Sequence, residues 1–160
     1  MIVLNENLID LQETGSDNIG TLNHCVDLMV NEGVVEESYR MQVIEREKEC
    51  PTALQFADIA VALAHGDPIG VSQSAMVLAR CVNHPGFGLM DDPETFIPVD
   101  AVILLAVNDP NGHIQVLARL IDALSKKEVC EFIKNNEDKK AICELLTKEL
   151  LEEKENESDA

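Results

Sequence analysis

The sequence predicts an α/β layered sandwich in which a mixed β-sheet is flanked by helices, and three observations carry that prediction. Short apolar runs without charge, IAVAL at 59–63 and AVILLAV at 101–107, have the length and composition of strands covered on both faces. Segments with apolar residues at helical spacing stand before, between and after them. Hydrophobic residues form 46% of the 160-residue chain, enough for one core beneath a surface of net charge −18.

Taken in order, Ser16 is placed to cap a helix whose Ile19, Leu22, Val26, Met29 and Val30 recur on one side before Gly33 offers a left-handed stop. From 36 to 49, Tyr39, Val43 and Ile44 form a narrow apolar stripe on a strongly charged helix that Pro51 ends. The run at 59–63 reads as a buried strand closed by His65, Gly66, Asp67 and Pro68. Residues 75–82 read as another strand, and HPGFGLMDDPE at 84–94 reads as loop. The central strand at 101–107 leads into NDPNG, where Asp109 suits a cap and Pro110 a first helical position. The following helix places Val116, Leu117, Leu120, Ile121 and Leu124 on one side. Ser125 and Glu128 have the spacing of a capping box for a short helix through Lys134. A last helix, about 136–151, carries Ile142, Leu145, Leu146 and Leu150. No internal repeat or interior linker interrupts the pattern, so residues 1–150 are expected to form one domain, followed by a disordered acidic tail at 151–160.

Thirty acidic residues face 12 basic ones, with no basic cluster larger than Lys126-Lys127 or Lys139-Lys140. That excludes the basic stripe a nucleic acid or an anionic membrane surface requires. No apolar run is long enough to span a bilayer, and the opening MIVLNENLIDLQE has no basic region ahead of its apolar residues, so no targeting segment is read there. The five cysteines, Cys25, Cys50, Cys81, Cys130 and Cys143, are scattered without CxxC or zinc spacing. They are expected to be buried or partly buried free thiols in the reducing cytoplasm. With aromatics at 3% and no Trp, a platform for stacking bases or sugars is not expected.

The chemistry-bearing positions are two histidines. His65 follows a buried strand in AHGDPIGV, and His113 opens a helix just after a second buried strand in NGHIQVL. If the strands are neighbours, both imidazoles meet at one rim, beside helix N–H groups that favour an anion. A neutral imidazole is a nucleophile for phosphorus, while a second imidazole or a helix N-terminus can stabilise the charge on the transferred group. Neither GxxxxGK[ST] nor GxGxxG occurs, so no nucleotide and no cofactor is expected. His65, His113 and Asp67 together would also suit a zinc or iron ion, but no dense ligand spacing supports it and no metal is expected. His24, adjacent to Cys25 on a helix, is not expected to share a ligand role with it, and His84 before Pro85 reads as a loop residue.

Over about residues 4–147 the chain resembles the enzyme IIA domains of the bacterial phosphoenolpyruvate-dependent sugar phosphotransferase system, of the fructose/mannitol class and its galactitol-type branch. The stretches that carry the resemblance are EREKECPTAL, VALAHGDPIGV, MDDPETFIPVDAV and LLAVNDPNGHIQVLARLIDAL. The resemblance implies that His65 is the phosphoryl acceptor, that His113 is its pocket partner, and that Arg46 and Thr52 support them. Two positions depart from the family pattern: Ala64 stands where proline is usual, and Ala53 stands where PTGL has glycine. The implied function is a phosphocarrier step in sugar uptake, from the phosphohistidine of HPr to a cysteine of the cognate enzyme IIB. The docking rim would then draw on Ile69, Val71, Phe87 and Leu89. The alternatives are a regulatory domain of the same fold and a degenerate interaction module in which His65 is inactive.

Overall fold

Two apolar strands that are far apart in sequence form the centre of the sheet: β3 (Ala60–His65) lies parallel to β7 (Ala101–Ala106), with Ala62 opposite Val102 and His65 opposite Leu105. The structure is a computed structural model that describes residues 2–109 and 112–151. Around the central pair lie β1 (Ile9–Glu13), β2 (Ala53–Gln55), β4 (Ala75–Cys81), β5 (Gly86–Leu89) and β6 (Asp92–Pro98). The order across the sheet is β1-β4-β7-β3-β2-β5-β6. Parallel pairs (β1 with β4, β7 with β3, β2 with β5) alternate with antiparallel ones, so the sheet is mixed as the sequence predicts.

Both faces are covered, which is why β3 and β7 read as unbroken apolar runs. On one face, α1 (Asn18–Asn31) and α2 (Tyr39–Glu49) bring Leu22, Val26, Met29, Tyr39 and Val43 onto Ala62, Ala64, Val77 and Leu104. On the other, α3 (Gly112–Leu124), α4 (Lys127–Asn135) and α5 (Lys139–Leu151) bring Leu120, Leu124, Ile133, Ile142 and Leu146 onto Val61, Leu63, Leu78 and Ile103. Alternate residues of each central strand therefore feed opposite cores.

Several local expectations need correction. The cap of α1 is Asp17, whose side chain accepts from Gly20 N at 2.7 Å, and not Ser16. Ser125 and Glu128 make no capping box: the Ser125 hydroxyl donates back to the Ile121 carbonyl at 2.8 Å, closing α3, and α4 begins at Lys127 with no side-chain cap. The segment read as loop contains a hairpin, β5 with β6, set at the sheet edge. Its Gly and Pro content masks the strands, and Pro is tolerated there because an edge strand has a side with no ladder to complete. Strands β1 and β2 were not expected at all. The first-turn position assigned to Pro110 and the tail at 152–160 lie outside the described residues.

Candidate functional site

Because β3 and β7 run parallel, their C-terminal ends share one edge of the sheet, where His65 closes β3 and the chain leaves β7 to begin α3. His113, the second residue of α3, is thereby carried over His65: the two rings stack with centroids 5.4 Å apart and planes inclined by 26°. Both are half-buried. The neighbouring-strand condition that would bring the histidines together is met.

The His65 ring is held from behind. Its Nδ1 lies 3.3 Å from the Leu63 carbonyl, which leaves Nε2 as the nitrogen without a protein partner among the described residues. Burial lowers its pKa below the ordinary histidine range, and the positive charges of Arg46 and His113 act in the same direction, against the Leu63 carbonyl and Asp67. The imidazole is therefore neutral at pH 7.

The backbone beside it is fixed by a buried phenol. Tyr39 on α2 donates from Oη to the Leu105 carbonyl at 2.6 Å and accepts from Gly66 N at 3.1 Å, tying the end of β7 to the residue after His65. Burial raises the Tyr39 pKa, so the phenol keeps the proton it donates. Gly66 passes close beneath α2, where an added Cβ would lie 3.0 Å from Gln42 and Val43 atoms. Ala64, in the position where the resembled family has proline, is 1% exposed and sits within the ladder opposite Leu104. Pairing with β7 imposes the extended backbone there, so a ring is not needed to do so.

Arg46, in the last turn of α2, reaches the same edge. Its Nη1 lies 4.0 Å from Asp67 Oδ1, while its buried Nε has no hydrogen-bond acceptor among the described residues. A guanidinium is a donor group suited to anionic oxygens. Thr52 is 2% exposed and spends its donors elsewhere: its N–H and Oγ1 both bond the Glu47 carboxylate, at 3.1 and 2.7 Å. Burial pushes the Glu47 carboxyl up to about 7, with the Thr52 bonds opposing the shift. Thr52 thus touches the site as wall and positions β2 against α2.

A cleft of about 410 Å³ opens beside His65 and His113, walled by Arg46, Thr52, Cys50, Met90, Ile114 and Ile121. Its rim departs from the expected docking residues. Phe87 is fully buried in the core beneath α1 and α2, so it cannot serve on a rim. Val71 and Leu89 are half-buried against the same core, and Ile69 is exposed. The exposed apolar side chains at the cleft are Ile114 (62%), Met90 and Ile121. Ile121 faces outward because α3 buries the narrower stripe of Leu120, Ala123 and Leu124. Cys50, expected to be buried or partly so, is exposed where the chain turns out of α2 into Pro51; the other four cysteines are buried. Tyr39 and Glu47 were missed as site-supporting residues, since sequence marks only that they lie on or beside an apolar stripe.

His65, His113 and Asp67 do not bring three ligand atoms within 4.8 Å of one another. Among the described residues, three metal-ligating groups come within 4.8 Å of one another in a different place, at Asp10, Glu13 and His24.

The sequence matches the family described as the phosphoenolpyruvate-dependent sugar phosphotransferase system, EIIA 2, over residues 2–149. It is 30% identical over 115 residues to the galactitol-specific EIIA component of Escherichia coli (strain K12), covering 72% of this chain and 76% of that one. Among solved structures, the mannitol enzyme IIA of Escherichia coli, determined in complex with phosphorylated mannitol enzyme IIB, superposes with a TM-score of 0.76 at 25% identity, covering 92% of this chain and 99% of that chain. The nitrogen regulatory protein IIA-Ntr of Neisseria meningitidis shares the fold, with a TM-score of 0.73 at 23% identity over 89% of this chain and 95% of that chain.

Proposed function

Because the chain belongs to the EIIA 2 family of the phosphoenolpyruvate-dependent sugar phosphotransferase system, we propose that it is a phosphocarrier in sugar uptake of the galactitol/fructose type, with His65 as the residue that carries the phosphoryl group. The donor is the phosphohistidine of HPr, and the acceptor is a cysteine of the cognate enzyme IIB. Both exchanges take place in the cytoplasm. The relative solved with phosphorylated enzyme IIB supports an acceptor of that kind.

The observation that carries this reading is a neutral imidazole at the C-terminal end of a central strand, stacked on a second imidazole, in a cleft that Arg46 also lines with a guanidinium N–H that has no acceptor among the described residues. With its proton on Nδ1 and held by the Leu63 carbonyl, His65 attacks phosphorus through the Nε2 lone pair. The new Nε2–P bond forms as the donor's N–P bond breaks, and the donor imidazole keeps the electron pair of that bond. The positive charge gained by the ring strengthens the Nδ1–H bond to Leu63. The Arg46 guanidinium, which lines the cleft, and the first turn of α3 at His113 take the equatorial oxygens. In the second exchange a thiolate attacks the same phosphorus, the Nε2–P bond breaks, and His65 returns to its neutral form. The apolar cleft rim of Ile114, Met90 and Ile121 receives each protein partner in turn.

The test is transfer from phosphoenolpyruvate through enzyme I and HPr, followed by intact mass. The expected result is one acid-labile phosphoryl group on the wild type, none on His65→Ala, and slowed labelling on His113→Ala. Absence of label on the wild type while HPr is fully phosphorylated would overturn the carrier reading. A regulatory role predicts that the label forms but is not passed to any enzyme IIB cysteine.

A further inference from the structure

Strand β1 carries an irregularity that the phosphoryl chemistry does not use. Its register against β4 pairs Ile9 with Leu78 and Asp10 with Ala79, then jumps to Glu13 with Cys81, so three steps along β1 answer two along β4. In a regular strand residues 10 and 13 would point to opposite faces. The bulge turns both carboxylates to the side where Ala79 and Cys81 meet α1, and bulges commonly re-aim a side chain in this way.

On α1, His24 presents Nδ1 to the pair: it lies 3.6 Å from Asp10 Oδ2 and in contact with Glu13 Oε1. All three ligand atoms fall within 4.8 Å of one another. The carboxylates are fixed by backbone donors on their other oxygens, with Gln12 N bonding Asp10 Oδ1 at 2.9 Å and Gly15 N bonding Glu13 Oε2 at 2.8 Å. One oxygen of each acid is thus committed to orientation and the other is offered inward, the arrangement by which outer partners aim metal ligands. Glu13 is only 3% exposed, so its charge is held largely out of water. The nearby arginines are engaged elsewhere, Arg40 with Asp27 and Glu37, Arg80 with Glu137. Even with His24 protonated, the cluster keeps a net negative charge that no lysine or arginine neutralises among the described residues.

We propose that Asp10, Glu13 and His24 bind a divalent transition-metal ion of the zinc class, joining the edge strand β1 to helix α1. Two carboxylate oxygens and one imidazole nitrogen are a donor set for such an ion, and a tetrahedron with bonds of about 2.1 Å has edges of about 3.4 Å. The 3.6 Å separation of His24 Nδ1 from Asp10 Oδ2 is close to that edge, while the direct contact of His24 with Glu13 has to open, and the proton they share to leave, for the ion to enter between them. His24 and Asp10 are partly exposed, with side-chain exposures of 46% and 22%, which leaves the fourth position open to water.

The probe is zinc chloride, titrated calorimetrically into a His65→Ala, His113→Ala, Cys50→Ser protein whose fold is checked by circular dichroism, so that the phosphoryl site cannot contribute. One zinc per chain is expected, with a melting temperature that rises with zinc concentration. Adding His24→Gln or Asp10→Asn, both at partly exposed positions, should weaken binding by more than about tenfold and remove the thermal shift. Zinc-edge absorption should show oxygen and nitrogen neighbours at about 2.0–2.2 Å and no sulfur. Failure of the parent protein to bind zinc, or unchanged affinity after His24→Gln, would overturn the site and leave an ion pair between His24 and the carboxylates. Neither result bears on phosphoryl transfer, which is read from His65.

Discussion

His65 owes its character to what surrounds the ring more than to the ring itself. The carbonyl at Nδ1 sets the tautomer, burial keeps the ring neutral, and Arg46 lines the same cleft with a buried Nε–H that has no acceptor among the described residues. Replacing Arg46 by Met keeps the apolar stem and removes the donor, so phosphoryl transfer from HPr should slow by about a hundredfold with the fold unchanged. Stopped-flow labelling measures it, and a rate within a factor of two of wild type would remove Arg46 from the chemistry. Since burial holds the His65 pKa below the ordinary histidine range, the rate of acceptance should decline with acid at a lower pH than an ordinary histidine would show.

Glu47 makes the opposite kind of statement, about stability. Its pKa rises from 4.5 to about 7 on folding, so folding favours the protonated acid. Its contribution is fully present below pH 4.5 and is lost as pH rises to about 7. Glu47→Gln stays neutral throughout, so across that window the wild type should lose on the order of 2 kcal/mol relative to the variant. Urea midpoints at pH 4.5, 6 and 8 measure the difference, and a constant offset between the two proteins would show that the carboxyl does not titrate there.

At the scale of the element, α3 serves two surfaces. Leu120, Ala123 and Leu124 hold it to the sheet, while its first turn projects His113 toward His65 and Ile114 into the cleft mouth. Ile114→Asp should leave stability within about 0.5 kcal/mol, because the side chain is 62% exposed, yet weaken partner docking at least tenfold. A binding titration against phospho-HPr decides between this and a rim that carries no affinity.

The same scale explains what the sequence makes legible. Strands β3 and β7 announce themselves because burial on both faces demands uninterrupted apolar residues, and His65 and His113 follow from their ends. The helical stripes are equally plain. Edge and short elements carry a weaker signal: the edge strand β1 alternates as Ile9, Asp10, Leu11, Gln12, but over too few residues to stand out, and the interior β2 has three residues in all. In β6 only Ile97 is less than exposed, so no buried face imprints a period on it. Capping is ambiguous where two suitable residues adjoin, as with Ser16 and Asp17, since either type can serve. Long-range polar contacts leave no trace in composition. Nothing in the chain order announces that Tyr39 bonds Gly66, or that a bulge aligns Asp10 with Glu13 beside His24.

At the scale of the whole molecule, the site exists only where separate parts of the chain converge. Helix α2 supplies Tyr39 and Arg46, β3 supplies His65, and α3 supplies His113, and none of these neighbours another in sequence. The joint that gathers them is the parallel ladder of β3 with β7, between which the chain makes β4 on the far side of β7 and the β5–β6 hairpin at the opposite edge. Closing such a ladder carries the entropy of a long loop before any contact rewards it. Helical signal after dilution from urea should therefore recover before phosphoryl acceptance does, and labelling competence should rise with the slowest refolding phase. On the proposed function, partly folded chains would be unable to take the phosphoryl group from the donor, so the topology that brings His65 to His113 also withholds the site until the protein is complete.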